Sequence, residues 1–157
     1  MNMSMGAATA LFILYSVLNG VTLSSIFLVY DIGTIATTFF VTAGTFLTMS
    51  IIGYMTRIDL SKVGNVLFML LIGLLIATIV NIFLASTTLY WIITYAGVVI
   101  FVGLTAWDTQ KIRRTFEEHG TADDNGNKLA LFGALILYLD FINLFLFLLR
   151  IFGGNRD

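Results

Sequence analysis

The chain has no cysteine, no proline and one histidine, and only 11% of its 157 residues are Asp, Glu, Lys or Arg. Without cysteine there can be neither a disulfide framework nor a thiolate metal site. Without proline the commonest cause of a sharp helix kink is gone, so glycine is the expected place for a helix to bend or break. So few charges exclude an ordinary soluble domain, in which about 25% of residues are charged. A formal net charge of -1, with no block of like charge, gives nucleic acid nothing to bind. Apolar residues fill the space: 59% are hydrophobic and the mean hydropathy is +0.98. The composition is that of an integral membrane protein whose immediate partner is the lipid bilayer.

Uncharged runs divide the chain. The N-terminal run lacks the basic flank of a secretory signal and is too long for a signal core, so it reads as a retained span. The run between residues 63 and 107 would reach ~68 Å as one helix, against a ~30 Å hydrocarbon core, and must be two spans with a turn near residues 85–88. The expectation is an all-α, polytopic bundle forming one transmembrane domain over residues 1–157. Its five spans fall near 7–30, 33–56, 63–85, 89–112 (continuing as helix to about 118) and 129–152. The Asp-Asn-Gly sequence in residues 121–128 predicts the reversal between the last two.

Smaller patterns sit on these spans. Thr34, Thr38, Thr42 and Thr45 fall on one helix face, where their hydroxyls either bond their own backbone and pack or, less favoured, line a pore. Gly73, Ala77 and Asn81 form a small-residue face suited to close packing, with Asn81 bonding across helices. Tyr90 and Trp91 suit the interfacial aromatic belt. Six basic residues, Arg57, Lys62, Lys111, Arg113, Arg114 and Lys128, fall on one side of the membrane and two, Arg150 and Arg156, on the other. By the positive-inside rule the N-terminus is cytoplasmic.

The residue that most needs a reason is Asp140, alone in the last apolar run. An ionised carboxylate at mid-membrane costs about 2.5–3.5 kcal/mol even on the lenient insertion scale, so it must face a cavity, a partner or a proton. Asp108 is the other acid at comparable depth. The two positions average to 124, inside the predicted reversal, which places them ~15 and ~20 Å from the base of a helical hairpin. If they meet, two carboxylates in a low-dielectric site cannot both be charged without a cation, and the pair becomes a proton sensor. A hard cation such as Ca²⁺ suits carboxylates with nearby hydroxyl or carbonyl oxygens, and the region lacks the His and Cys of a transition-metal site. Asp108 and Asp140 are therefore the candidate pH-sensing and ion-binding residues, with Thr105, Asn143 and Arg150 as supporting candidates. The plainer readings are a surface pair of Asp108 with Lys111, a neutral Asp140 bonded to a neighbour, an Arg150 that reaches to the interface, and a solvated His119.

The segments AWDTQKI and LYLDFINLFLFLLRIFG resemble the C-terminal signature of the Bax inhibitor-1 family, the transmembrane Bax inhibitor motif proteins. The resemblance continues upstream through ALFILYSVLNGVTLSSIF to the TRIDLSKVG loop. It implies a pH-sensitive calcium leak with the last helix at the centre, and Asp108 and Asp140 fall on the family's paired aspartates. Members usually have seven spans, and this chain resembles one that begins at the third. The helices before it would wrap the central one and could bring a basic partner to the acids. The expected location is a bacterial plasma (inner) membrane, or the ER or another internal membrane if the source is eukaryotic. Alternatives are a non-conducting regulator that binds a membrane protease or a cell-death or stress factor, and a proton-coupled carrier. No nucleophile–base pair points to an enzyme, and no cofactor beyond Ca²⁺ as transported or bound ion is expected.

Overall fold

The computed structural model describes residues 2–120 and 122–153. Arg156, one of the two basic residues assigned to the outer side, lies outside them. The elements are α1 (Met5–Leu23), α2 (Ile26–Val29), α3 (Ile32–Met55), α4 (Ser61–Leu84), α5 (Thr87–His119) and α6 (Asp124–Gly153). Five stretches are long and apolar enough to cross a membrane, α1 and α2 together forming the first, Met5–Val29. The five predicted spans are all there.

The break between α1 and α2 falls at Ser24 and Ser25, whereas Gly20 stays helical. The Ser24 hydroxyl donates to the Val21 carbonyl and the Ser25 hydroxyl to that of Thr22. The next backbone bonds, from Phe27 to Ser24 and from Leu28 to Ser25, close three-residue turns. Serine hydroxyls competing for helix carbonyls are what interrupt this helix, and the expectation that only glycine could do so is corrected.

The remaining ends are set by side chains. Asp31 caps α3, accepting from the Thr34 amide at 3.1 Å and its hydroxyl at 2.7 Å. α4 stops at Ala85, which adopts a left-handed conformation (φ 50°, ψ 37°), and Ser86 caps α5 through the Leu89 amide. Asn81 serves this turn, accepting from the Ser86 amide at 3.0 Å, instead of bonding across helices as expected. α6 starts earlier than predicted. The Asp123 carboxyl accepts from the amides of Asn125 and Gly126, and its carbonyl from Asn127, so the Asn-Gly step lies in the first helical turn and not in the reversal.

α5 packs on α3, α4 and α6, and α6 packs on α1, α3 and α5. The two helices thus share the centre that the resemblance assigned to the last one. One core cluster joins Leu74 of α4, Ile93, Ile100, Phe101 and Leu104 of α5, and Leu144 and Leu148 of α6. A second joins Ile35 of α3 to Phe145 and Leu149 of α6. Close approach depends on glycine at Gly53, which faces the Ala106 carbonyl, and at Gly97, which faces the Phe147 ring. Gly73 has open space where a side chain would be, so the small-residue face predicted on α4 is not used at that position within the chain.

Thr38 and Thr42 are fully buried, and their hydroxyls donate to the carbonyls of Thr34 and Thr38 at 2.7 Å. That is the packing reading of the threonine face. The outer surface is apolar, with Leu28, Phe40, Ile82 and Phe83 among its exposed residues, as a lipid-facing surface requires.

Candidate functional site

Asp108 lies on α5 and Asp140 on α6, 9% and 5% exposed. The packing of α5 on α6 brings their carboxyls within hydrogen-bonding reach of each other, so the two acids meet, which their spacing alone could not decide. Ionised carboxylates are acceptors only. Asp140 Oδ2 is buried without a hydrogen-bond partner among the described residues. A proton or a cation between the two groups is the chemistry that would satisfy it.

Both acids line a cavity of about 580 Å³ between α4, α5 and α6, where Asn65, Trp107, Lys111 and Asn143 are the other residues with polar atoms. Phe68, Leu71, Leu75, Phe101 and Leu104 make the apolar wall. One liquid water occupies about 30 Å³, so the space is ample for a hydrated ion. Lys111 is the cation of the site, its ammonium 5.0 Å from the centre of the Trp107 ring.

The supporting candidates separate. Asn143 lines the cavity and donates to the Leu139 carbonyl at 2.8 Å, which leaves its amide oxygen to accept. Thr105 is fully buried and donates to the Phe101 carbonyl at 2.7 Å, so its hydroxyl proton is committed to its own helix. Arg150 is ten residues beyond Asp140, ~15 Å along the helix, and its guanidinium sits 5.3 Å from the Tyr90 ring centre and 5.0 Å from that of Phe147. The structure places it at the other end of α6 from Lys128, away from the acids. His119 is exposed beside Glu118.

Gln110 is the residue the sequence did not flag. It is 1% exposed, donates to the Ile58 carbonyl at 2.7 Å and accepts from the Leu60 amide at 2.9 Å, which straps the α3–α4 loop to α5 two residues past Asp108. Around it Arg113 donates to the Tyr54 carbonyl and pairs with Glu117, and Arg114 pairs with Asp59 at 2.9 Å. The Asp59 carboxyl is held down at about 2 by the hydroxyl and amide of Ser61, with a further contribution from Arg114. No pattern in the sequence marks Gln110, which stands in the charged stretch TQKIRR.

The five long apolar helices define a polytopic membrane protein, and two of them carry the buried carboxyls of Asp108 and Asp140. Residues 1–157 match the family described as "Inhibitor of apoptosis-promoting Bax1", and the chain belongs to that family. It is 57% identical over 155 residues to the inner membrane protein YbhL of Escherichia coli K12, an alignment covering 98% of this chain and 66% of YbhL. It is 52% identical over 154 residues to a protein of Borreliella burgdorferi (98% and 66% covered). It is 46% identical over 155 residues to the protein RP147 of Rickettsia prowazekii (99% and 65% covered). The chain thus spans just under two thirds of the length of these relatives.

Proposed function

We propose that this protein forms a pH-sensitive Ca²⁺ leak through the membrane, in which Asp108 and Asp140 are both the proton sensor and the cation site. One observation carries the reading: two buried carboxyls from the two central helices face each other on a cavity large enough for a hydrated ion. Like charges 4 Å apart repel by about 4 kcal/mol at an effective dielectric constant of 20. A proton or a divalent cation relieves that repulsion, so the two compete for the same oxygens, and Ca²⁺ binding weakens as pH falls. The chain offers two carboxylates and the Asn143 amide oxygen, fewer than the 6–8 oxygens Ca²⁺ takes, so water would complete the shell. A partly hydrated, weakly held ion is suited to passage.

Location in a bacterial inner membrane is supported by the printed name of YbhL. A cytoplasmic N-terminus is supported by the six basic residues at the α3–α4 and α5–α6 ends. The second reading, a non-conducting regulator, draws on the open space beside Gly73, where a partner helix could approach α4. A stoichiometric membrane partner co-purifying with a protein that passes no ion would favour it.

Reconstitution in liposomes with a Ca²⁺-sensitive dye inside tests the leak. Asp140→Asn removes one of the paired acids while keeping its shape, and the expected result is loss of the flux or of its pH dependence. An unchanged flux with an unchanged pH profile would falsify the reading.

A further inference from the structure

We propose that Lys111, held on the Trp107 ring, is a tethered cation that limits the access of divalent metal ions to the aspartate pair. The inference rests on the reading of Asp108 and Asp140 as a cation site. Among the described residues, Lys111 alone lines all three neighbouring cavities: the aspartate cavity, a pocket of about 130 Å³ between α5 and α6, and one of about 260 Å³ towards the loop end. The last is polar, with Ser61, Gln110, Arg114 and Glu118 in its wall. Asn65 and Trp107 also border both that pocket and the aspartate cavity, so with Lys111 they form the neck between the two.

The lysine is posed for this place. Lys111 is exposed, yet its ammonium does not simply extend into water but lies 5.0 Å over the indole. The indole is in turn set by α4. Gly64 leaves the space that the Trp107 ring fills, and any side chain at position 64 would overlap it. Gly64, Trp107 and Lys111 therefore stack from α4 to the neck. The other charges around the neck are Asp108 and Asp140 on the cavity side and Arg114 and Glu118 on the pocket side, with Arg114 already engaged by Asp59.

A metal ion that moves from the loop-end pocket to the acids passes this positive charge. Coulomb repulsion scales with the product of the charges, so a divalent ion meets twice the opposition of a monovalent one at the same distance. Because Lys111 lines the aspartate cavity itself, the repulsion acts on a bound ion as well as on an arriving one, and Lys111 thereby sets how tightly metal occupies the pair.

Sensitised terbium emission tests this without requiring transport. The chain has two tryptophans. Trp91→Phe leaves Trp107 as the only tryptophan donor, and the removed indole is ~24 Å away along α5. Tb³⁺, a hard oxygen-seeking probe for the Ca²⁺ site, is titrated into the full chain in detergent while emission excited through Trp107 is read. Lys111→Gln is expected to tighten apparent Tb³⁺ binding roughly tenfold. Lys111→Arg should leave it near the parent value, and Asp140→Asn should abolish the signal. Emission with the same affinity in the parent and in K111Q overturns the role of Lys111 alone. Absence of emission from both overturns the cation-site reading and this inference with it.

Discussion

A single residue, Asp140, announced the site, because an acid inside an apolar run has few physical excuses. Asp108 was legible as its companion by depth, since both lie at similar distances from the reversal between their helices. That their carboxyls meet was not legible. Rotation of α5 about its axis is set by Gly53 against Ala106 and Gly97 against Phe147, contacts with other helices that spacing within one helix does not reveal. Gln110 escaped notice for a related reason: an amide in the stretch TQKIRR looks solvated until the α3–α4 loop is laid against it.

Ala85 belongs to the same scale. Its left-handed backbone is the one positive-φ conformation among the described non-glycine residues. An L-residue with a side chain is disfavoured there by about 1–2 kcal/mol, and glycine escapes that cost while gaining freedom in the unfolded chain. Ala85→Gly should stabilise the protein by about 0.5–1 kcal/mol net, seen as a higher unfolding midpoint in detergent. A lower midpoint would mean that the conformation is not strained.

Among the elements, the five spans could be read from hydropathy alone, because bilayer thickness imposes a length that a soluble helix need not meet. Their ends were less legible. The Ser24–Ser25 break and the early start of α6 both come from side chains that compete for or satisfy backbone groups, Ser24 and Ser25 in one case and Asp123 in the other.

The α3–α4 loop gives a prediction at this scale. Folding lowers the Asp59 carboxyl from 3.8 to about 2 through Ser61 and then Arg114. A depressed acid adds stability above its unfolded value and loses that contribution as pH falls through the folded one. The difference in unfolding midpoint between the parent and Asp59→Asn should therefore be constant above about pH 5, fall as pH drops and vanish towards about pH 1. A difference that stays at its full size down to about pH 1 would mean that the ionised carboxylate is not what holds the loop.

At the scale of the whole molecule, the all-helical membrane fold and the family were readable from composition and from the C-terminal motif. The sharing of the centre by α5 and α6 was not. In a bilayer the buried and the lipid-facing sides of a helix are both apolar, so the pattern that marks a core face in water is muted. α5 and α6 each contact three other helices, and the contacts of α5 carry Asp108, Lys111 and Gln110 into one region next to α6. The bundle thus joins a buried acid pair, a tethered lysine and a strapped loop along one helix.

The central claim is that Asp108 and Asp140 act as one titrating, cation-holding unit. Ca²⁺ flux into liposomes, measured across a pH series for the parent, Asp108→Asn, Asp140→Asn and the double variant, tests it most directly. Residues that act as a unit are strongly non-additive, so either single substitution should flatten the pH profile and the double variant should be no worse than the singles. Single variants that keep the parent's pH profile, or losses that simply add in the double variant, would contradict the account.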